Sequence, residues 1–436
     1  MGLSRRYTVR RLNRMLRRLT TPSCSKRIDR SQGLTSGRLL YVAASALPYH
    51  ISGYTTRTQA ILCALQAIDP QVVALTRAGY PQDRGDRLVS DGQSMTVVDS
   101  VQYHHLRTPK NRWPVAFYAP IAARKIRDFA KEHGVTVIHA ASNHVNALPA
   151  LLAARELGLP FQYEMRGLWE LTRVSRMPWF ENSQAYFQGL ELEGLVARSA
   201  DKLFVISEQL GDYMVRNYGV KRERLHLLPN CVDPESFNLN DVLKERVVPK
   251  TLGYAGSLIG YEGLDVLIDA IALLVKRGQE VTLTIAGDGE ERANLENQVR
   301  ALNLSQSVKF LGKVSPDKAK EVVQTCDVIC IPRKPYEVCK IVTPIKLVEA
   351  MAMQKSVIVP DLPVFRDELG PDPACWMFRA GDAQDLARVI DTVLGDDELR
   401  VSMAKKARQY ALTQRGWGQY MGEVLEIAQA QREMIC

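Results

Sequence analysis

The sequence predicts an α/β protein with two doubly wound parallel sheets. Short apolar runs alternate with amphipathic helical segments along most of the chain, which is the pattern of parallel sheets covered by helices on both faces. The alternation stops in a polar stretch at 233–250 and then restarts. The 436 residues accommodate two or three domains of ordinary size.

The first domain is predicted over 38–235. A strand at 39–46, a loop containing Gly53 and a helix at 56–67 form a βα unit, and glycine there lets the backbone approach a ligand at the strand end. Further strands are predicted at 72–75, 136–140, 161–165, 202–206 and 225–228. Helices are predicted at 115–133, 145–157, 187–198 and 208–217.

A linker at 236–250 is followed by a second domain at 251–413 and a last helical segment at 414–436. Strands are predicted at 251–255, 281–286, 308–311, 327–331, 356–359 and 375–378. Helices are predicted at 264–276, 292–302, 316–325, 344–353, 383–394, 397–413 and 417–434. Ligands of such sheets bind outside the carboxyl ends of the strands, so a cleft between the two faces is the expected site.

Charge and cysteine content limit the classes of function. Residues 1–30 contain ten Lys and Arg and one acid, which accounts for the whole net charge of +9. The rest of the chain is formally neutral, which argues against a nucleic-acid-binding body. The eight cysteines form no C-x-x-C pair, so we expect a reducing, cytoplasmic environment without structural zinc.

The basic segment 1–37 has three interpretations. It fits a disordered arm, an amphipathic segment that contacts anionic lipid headgroups, or an Arg-rich transit peptide. The favoured interpretation is a flexible tail, disordered or in weak peripheral contact with an anionic membrane through residues 1–30.

One stretch of the second domain has the composition of an anion-binding turn. The apolar run at 327–332 predicts a buried strand, and Thr343 before Pro344 predicts a helix start with Thr343 as N-cap. The loop between them is basic and contains Arg333, Lys334 and Lys340. Such a helix start favours a phosphate. The alternative is an ordinary strand–loop–helix unit with surface lysines.

Four strand-end loops of the second domain carry recognisable motifs. They are GYAGSLIGYEGLD (253–265), IAGDGE (285–290), FLGKV (310–314) and TPIKLVEAMA (343–352). In this order they resemble the donor domain of retaining GT-B glycosyltransferases of family 4. The first domain is similar to the family's acceptor domain in HISGYTTR (50–57), VIHA (137–140), RGLWE (166–170), ADKLFVISE (200–208) and LPNCVD (228–233). The resemblance covers roughly residues 38–430 and implies a GT-B fold with two Rossmann-like domains facing across a cleft.

The resemblance implies roles for individual residues. The backbone around Gly53 would face the diphosphate or the acceptor, and Val314 would hold the nucleotide base through main-chain contacts. Glu349 would bind the ribose hydroxyls. The helix start at Thr343, with Lys346, would hold the diphosphate. No cofactor is implied, because the nucleotide diphosphate sugar is itself the substrate.

Several family positions carry other residues here. The family often shows two glutamates eight positions apart; the second is Glu349, but Ile341 stands at the first. Ser257 and Glu262 stand where many members have an Arg and a Lys that clamp phosphate, and Ser257 remains a candidate nucleotide contact. Arg166 replaces a frequently important His.

The positive charge that a phosphate requires is then expected from other side chains. Arg333, Lys340 and Lys346 can supply it from the second domain, and Arg166 from the first. Arg166, Arg333 and Lys346 are the candidate catalytic residues, because positioned cations stabilise the charge that develops on a leaving nucleoside diphosphate. The expected loops contain no Asp-x-Asp motif, so no Mg²⁺ or Mn²⁺ is expected.

The resemblance, together with these patterns, implies a cytoplasmic, metal-independent, retaining glycosyltransferase. It would move a sugar from a nucleotide sugar to a glycan or lipid-linked acceptor in surface or exopolysaccharide synthesis, without a nucleic-acid partner. One alternative is a catalytically silent glycosyltransferase-like subunit. Another is a GT-B nucleotide-sugar epimerase or sugar phosphorylase.

Overall fold

The computed structural model describes residues 5–20, 37–85, 94–237 and 250–433. The chain divides into two compact units, Met1–Leu228 with Trp417–Cys436, and Pro229–Gly416. Most of the linker predicted at 236–250 lies outside the described residues, as do positions 21–36 of the basic segment.

A mainly parallel sheet forms the centre of the first unit, in the order β3-β4-β2-β1-β5-β6-β7-β8. Its strands are β1 (Arg38–Ala43), β2 (Val73–Thr76), β3 (Met95–Val98), β4 (Val101–His104), β5 (Val135–Ala141), β6 (Phe161–Met165), β7 (Lys202–Val205) and β8 (Leu225–Leu227). The antiparallel edge hairpin of β3 and β4 is missing from the sequence prediction. Strand β1 pairs in parallel with β2 on one side and with β5 on the other. The strand order therefore reverses beside β1, which makes this position a topological switch point.

Helices cover this sheet. They are α1 (Arg5–Thr20), α2 (Gly53–Ile68), α3 (Val115–Glu132), α4 (His144–Leu157), α5 (Trp169–Arg176), α6 (Gln184–Ser199) and α7 (Glu208–Tyr218). The prediction of a flexible tail is wrong for residues 5–20, which form α1. Thr8, Leu12 and Leu16 recur every fourth residue and are buried where α1 packs on α3, α4 and α6. A one-sided stripe of this spacing is what lets an Arg-rich helix dock on a protein surface.

The second unit contains a six-stranded parallel sheet in the order β11-β10-β9-β12-β13-β14. Its strands are β9 (Lys250–Ala255), β10 (Val281–Ala286), β11 (Val308–Gly312), β12 (Val328–Cys330), β13 (Ser356–Pro360) and β14 (Trp376–Phe378). The strand order reverses between β9 and β12, so the loops after these two strands flank the switch point.

The helices of the second unit follow the strands closely. They are α8 (Leu264–Lys276), α9 (Arg292–Ala301), α10 (Pro316–Thr325), α11 (Glu337–Ile341), α12 (Ile345–Ala352), α13 (Pro363–Leu369), α14 (Ala383–Gly395) and α15 (Asp397–Gln414). The last helix, α16 (Gly418–Glu433), belongs to the first unit and packs on α2 and β5. Among the helices that the structure describes, none has both the length and the apolar character needed to cross a membrane.

Candidate active site

The loops that follow β9, β10 and β11 are joined to one another by backbone hydrogen bonds. The N–H of Gly256 donates to the Ala286 carbonyl (2.9 Å), and the N–H of Gly287 donates to the Gly312 carbonyl (2.8 Å). A Cβ on Gly287, whose φ is +144°, would lie 1.8 Å from the Gly256 oxygen. The close approach therefore requires glycine at this position.

Glu262 is the centre of the charged cluster beside these loops. Its side chain is buried, and its two oxygens accept from Nη2 of Arg333 (3.0 Å) and Nζ of Lys346 (2.8 Å). Nζ of Lys346 also donates to the Tyr254 hydroxyl (2.7 Å), which itself donates to the carbonyl of Ser257 (2.9 Å). Arg333 and Lys346 thus share one carboxylate, and the three side chains carry one net positive charge.

Acidification tests whether Glu262 is ionised in the folded protein. Burial raises its pKa, but Arg333 and Lys346 override this and lower the pKa to about 2. A carboxylate with a depressed pKa stabilises the fold above its unfolded pKa of ~4.3, and this contribution disappears as the pH falls toward 2. We expect the gap in unfolding temperature between the native protein and Glu262→Gln to narrow over that interval. A gap that stays constant from neutral pH to about pH 2.5 would show that Glu262 is not the ionised partner.

The cations of the basic loop are not free, contrary to the sequence prediction. Arg333 pairs with Glu262, Lys334 with Asp265, and Lys340 with Glu337. Arg333 is also buried and donates through Nη1 to the Val342 carbonyl (2.9 Å), while its Nε has no hydrogen-bond partner among the described residues. In this geometry Arg333 orients Glu262, and Lys340 makes an exposed surface pair.

The predicted helix start is shifted by one residue. Helix α12 begins at Ile345 with Pro344 in the N-cap position, so Thr343 is not the cap. The Thr343 side chain is buried, and its hydroxyl has no hydrogen-bond partner in the described part of the chain. Its carbonyl accepts from Nδ2 of Asn230 (2.9 Å). Thr343 therefore joins the start of α12 to the segment entering the second unit.

Four of the predicted contacts in the second unit remain at least partly accessible. The Lys346 side chain is 18% exposed in the first turn of α12, and Ser257 is exposed in the loop after β9. Val314 is half-buried between β11 and α10, and Glu349 is half-buried in α12. Burial raises the pKa of Glu349, against the opposing charges of Lys320 and Lys346. These accessible groups, rather than the buried ones, are those that a ligand can reach.

In the first unit, Gly53 is the exposed first residue of α2. Ser52 caps this helix, because its hydroxyl accepts from the N–H of Thr55 and the Thr55 hydroxyl accepts from the N–H of Ser52. The helix begins directly after the loop that follows β1, beside the switch point of the first sheet. The local sequence Ser-Gly-Tyr-Thr thus starts the helix at Gly53, three residues before the predicted start at 56, and the ligand contact of Gly53 stays a prediction.

Arg166 has no donor left for a phosphate. Nε and Nη2 bind the two oxygens of Glu164 (2.8 and 3.1 Å), and Nη1 binds the Tyr54 carbonyl (2.9 Å) and the Thr58 hydroxyl (2.8 Å). The remaining N–H donates to the hydroxyl of Tyr41. All five guanidinium donors are therefore used within the first unit. The structure assigns Arg166 a structural role in place of the predicted catalytic one.

Sequence reasoning missed Arg57 as the second cation of this network. Nε of Arg57 donates to Glu164 (3.1 Å) and Nη2 to the carbonyl of Leu228 (2.7 Å). Burial raises the pKa of Glu164, but Arg166 and Arg57 lower it well below its usual value. The available signal was an ionisable residue inside an apolar pattern: Glu164 lies within a buried strand, and Arg57 shares a helix face with Ile61.

A second buried cluster contains His144, Glu170 and Glu193. Nδ1 of His144 lies 3.1 Å from Glu193 and 3.8 Å from Glu170. Glu193 also accepts from the backbone N–H of His144 (2.7 Å) and from the Tyr163 hydroxyl (2.5 Å). Burial, and then the charge of Glu193, raise the pKa of Glu170 to about 7. Three side chains at these distances could hold a metal ion, but the hydrogen bonds of Glu193 already account for its position.

Both halves of the chain match known protein families. Residues 52–231 match the family described as Glycosyl transferase 4-like domain, and residues 237–410 match Glycosyl transferases group 1.

Among curated relatives, the chain is 28% identical over 249 residues to the putative glycosyltransferase EpsF of Bacillus subtilis (strain 168), covering 55% of this chain and 61% of that protein. It is 32% identical over 148 residues to the phosphatidyl-myo-inositol mannosyltransferase of Mycolicibacterium smegmatis, covering 34% and 36%. The matched region is less than two thirds of the length of each relative.

Solved structures confirm the predicted fold class. The TM-score is 0.73 with sucrose-phosphate synthase from Thermosynechococcus elongatus, at 16% identity over 91% of this chain and 98% of that one. It is 0.68 with Anabaena Alr3699/HepE in complex with UDP and glucose, at 18% identity over 90% and 99%. At these identities the likeness concerns the fold, two parallel-sheet α/β domains of the GT-B type.

Proposed function

This chain consists largely of a glycosyl transferase 4-like domain and a glycosyl transferases group 1 domain, and on that premise we propose that it is a retaining, metal-independent glycosyltransferase. The donor is a nucleotide diphosphate sugar, and the acceptor is a glycan or lipid-linked sugar in surface polysaccharide synthesis. The proposal includes a cytoplasmic location, which agrees with the absence of a disulfide among the six described cysteines.

The observation that carries this proposal is the position of Lys346. Its ammonium group is fixed by Glu262 and Tyr254 at the switch point of the second sheet, yet its side chain stays partly accessible. It also lies in the first turn of α12, where the helix dipole favours an anion. A cation held by hydrogen bonds and facing an accessible edge is suited to a diphosphate.

The chemistry of glycosyl transfer needs such a group. Negative charge develops on the diphosphate as the bond from its oxygen to the sugar breaks, and a preorganised cation stabilises that charge without reorganisation during the reaction. Lys346 would serve this role, with Arg333 acting through Glu262 to hold it in place. Glu349 lies three positions further along the same helix face and would bind the ribose hydroxyls.

A nucleotide-binding screen tests the proposal. The unfolding temperature of the purified chain is measured with UDP, GDP, ADP or CMP, and separate samples of native protein are incubated with the corresponding nucleotide sugars. We expect one nucleoside diphosphate to raise the unfolding temperature. The corresponding nucleotide sugar should be hydrolysed or transferred in the presence of EDTA, and NMR of the product should show that the anomeric configuration is retained. UDP is tested first because the similar Anabaena structure is described as a complex with UDP and glucose. Neither binding nor turnover with any donor would refute the proposal.

A catalytically silent subunit is the second candidate. Its support is the pairing of Arg333, Lys334 and Lys340 with carboxylates, which leaves the basic loop with little free charge. This candidate predicts that a nucleotide raises the unfolding temperature while no donor is consumed. Product analysis also separates an epimerase or phosphorylase, since these would release an epimer or a sugar phosphate.

A further inference from the structure

Helix α1 presents a basic face to solvent. Thr8, Leu12 and Leu16 are buried, and the helix contains no acidic residue. The exposed residues of α1 are Arg6, Tyr7, Arg10, Arg14, Arg17 and Arg18. Arg6 to Arg18 spans about 18 Å along the helix axis. Like charges at this spacing repel one another, so this face is suited to an extended polyanionic partner.

Exposed aromatic rings lie on both sides of this helix. The guanidinium carbon of Arg11 lies 5.2 Å from the ring centre of Phe117 on α3, and that of Arg5 lies 5.1 Å from the ring centre of Phe187 on α6. Phe117 is 41% exposed and Phe187 is 38% exposed. These cation–π contacts hold apolar rings at the edge of the basic face.

The aromatic side continues from Phe187 to two tryptophans. Ring centres are 5.3 Å apart for Phe187 and Tyr186, and 5.9 Å apart for Tyr186 and Phe180. Phe180 then lies 6.2 Å from Trp169 and 6.3 Å from Trp179. The two tryptophans are 51% and 66% exposed. The connecting rings of Tyr186 and Phe180 are buried, and they hold the exposed rings of Phe187, Trp169 and Trp179 in one region of the surface. Several large exposed aromatic side chains in one region are unusual on a free protein surface and indicate an interaction site.

We propose that this basic–aromatic surface, formed by the exposed arginines of α1 with Phe117, Phe187, Trp169 and Trp179, docks on an anionic lipid bilayer. Arginine side chains bind the headgroups, while Trp and Phe rings enter the boundary between headgroups and acyl chains. Because the apolar stripe of α1 is already buried in the protein, the helix supplies charge and its neighbours supply the apolar contact. This inference deepens the proposed function, because a lipid-linked acceptor is reached from such a surface.

Tryptophan fluorescence of the full chain tests the docking without any substrate. The vesicles contain phosphatidylcholine mixed with phosphatidylglycerol whose acyl chains are brominated, and bromine quenches a nearby indole. We expect quenching with these vesicles, none with brominated phosphatidylcholine alone, and a loss of quenching as salt screens the charges. No nucleotide sugar is present, so a negative result leaves the glycosyltransferase proposal intact, and inactivity toward donors leaves this one intact.

A matched pair of variants identifies the surface. Arg10→Gln, Arg14→Gln and Arg18→Gln together are expected to lower the vesicle partition coefficient roughly a hundredfold. The control removes the same charge from exposed residues of the second unit, by Lys276→Gln, Arg277→Gln and Lys405→Gln. This control is expected to change the partition coefficient less than about twofold. Equal losses in both variants would refute a specific surface. Binding to single-stranded DNA without tryptophan quenching by vesicles would identify a nucleic acid as the partner instead.

Discussion

Lys346→Ala is expected to lower kcat for donor turnover by about 10²–10³-fold. The substitution removes the accessible cation at the start of α12 and leaves Glu262 paired with Arg333 alone. If the ammonium acts mainly on charge that develops during bond breaking, kcat falls more than KM rises. Steady-state kinetics with the donor found in the nucleotide screen measures both constants.

The matched control for Lys346 is Lys276→Ala. Lys276 is exposed in the last turn of α8, at the opposite end of that helix from the loop at 253–265, and its removal is expected to leave kcat within about twofold. Unfolding temperatures of both variants separate a catalytic loss from a folding defect. Full activity of a folded Lys346→Ala protein would exclude the phosphate role.

Glu164→Gln is expected to destabilise the first unit by about 3–5 kcal/mol. The glutamine keeps the shape of the side chain but leaves the charges of Arg57 and Arg166 buried without their shared counter-ion. Removing one partner from a buried ionic network costs more than the net contribution of the network, because the remaining charges stay desolvated. Urea denaturation monitored by circular dichroism measures the shift in the unfolding midpoint.

Glu426→Gln provides the comparison for Glu164. Its carboxylate is 65% exposed and pairs with Lys202, and exposed pairs of this kind contribute little to stability. We expect its unfolding midpoint to stay close to that of the native protein. Similar shifts in both variants would mean that the Glu164 network is no more important than a surface ion pair.

The regular elements of the second unit are predicted well where the local pattern is strong. The strand at 281–286 and the helices at 264–276 and 316–325 coincide with β10, α8 and α10. Apolar runs, helical periodicity and a Ser-Pro helix start are local features that need no tertiary contact to be recognised. By contrast, α11 has five residues, and so short a segment shows no periodicity.

The amino-terminal segment and the candidate site show a different limit. The composition of residues 5–20 indicates a charged tail, but burial of Leu12 and Leu16 on the first unit makes it a docked helix. The motifs identify Lys346 and Glu349 as candidate contacts, and the structure leaves both partly accessible. They do not reveal that Arg166 and Arg333 are buried and bound to carboxylates.

The sequence by itself determined two parallel-sheet domains and the strand-end loops in which the proposed ligand contacts lie, because periodicity and turn residues act locally. Only the tertiary structure decided which cations are available to a ligand. Glu262 lies 71 positions from Arg333 and 84 positions from Lys346, and no local pattern encodes so distant a pairing. Folding brings these charges together in a buried environment, where each must find a partner to offset its lost hydration.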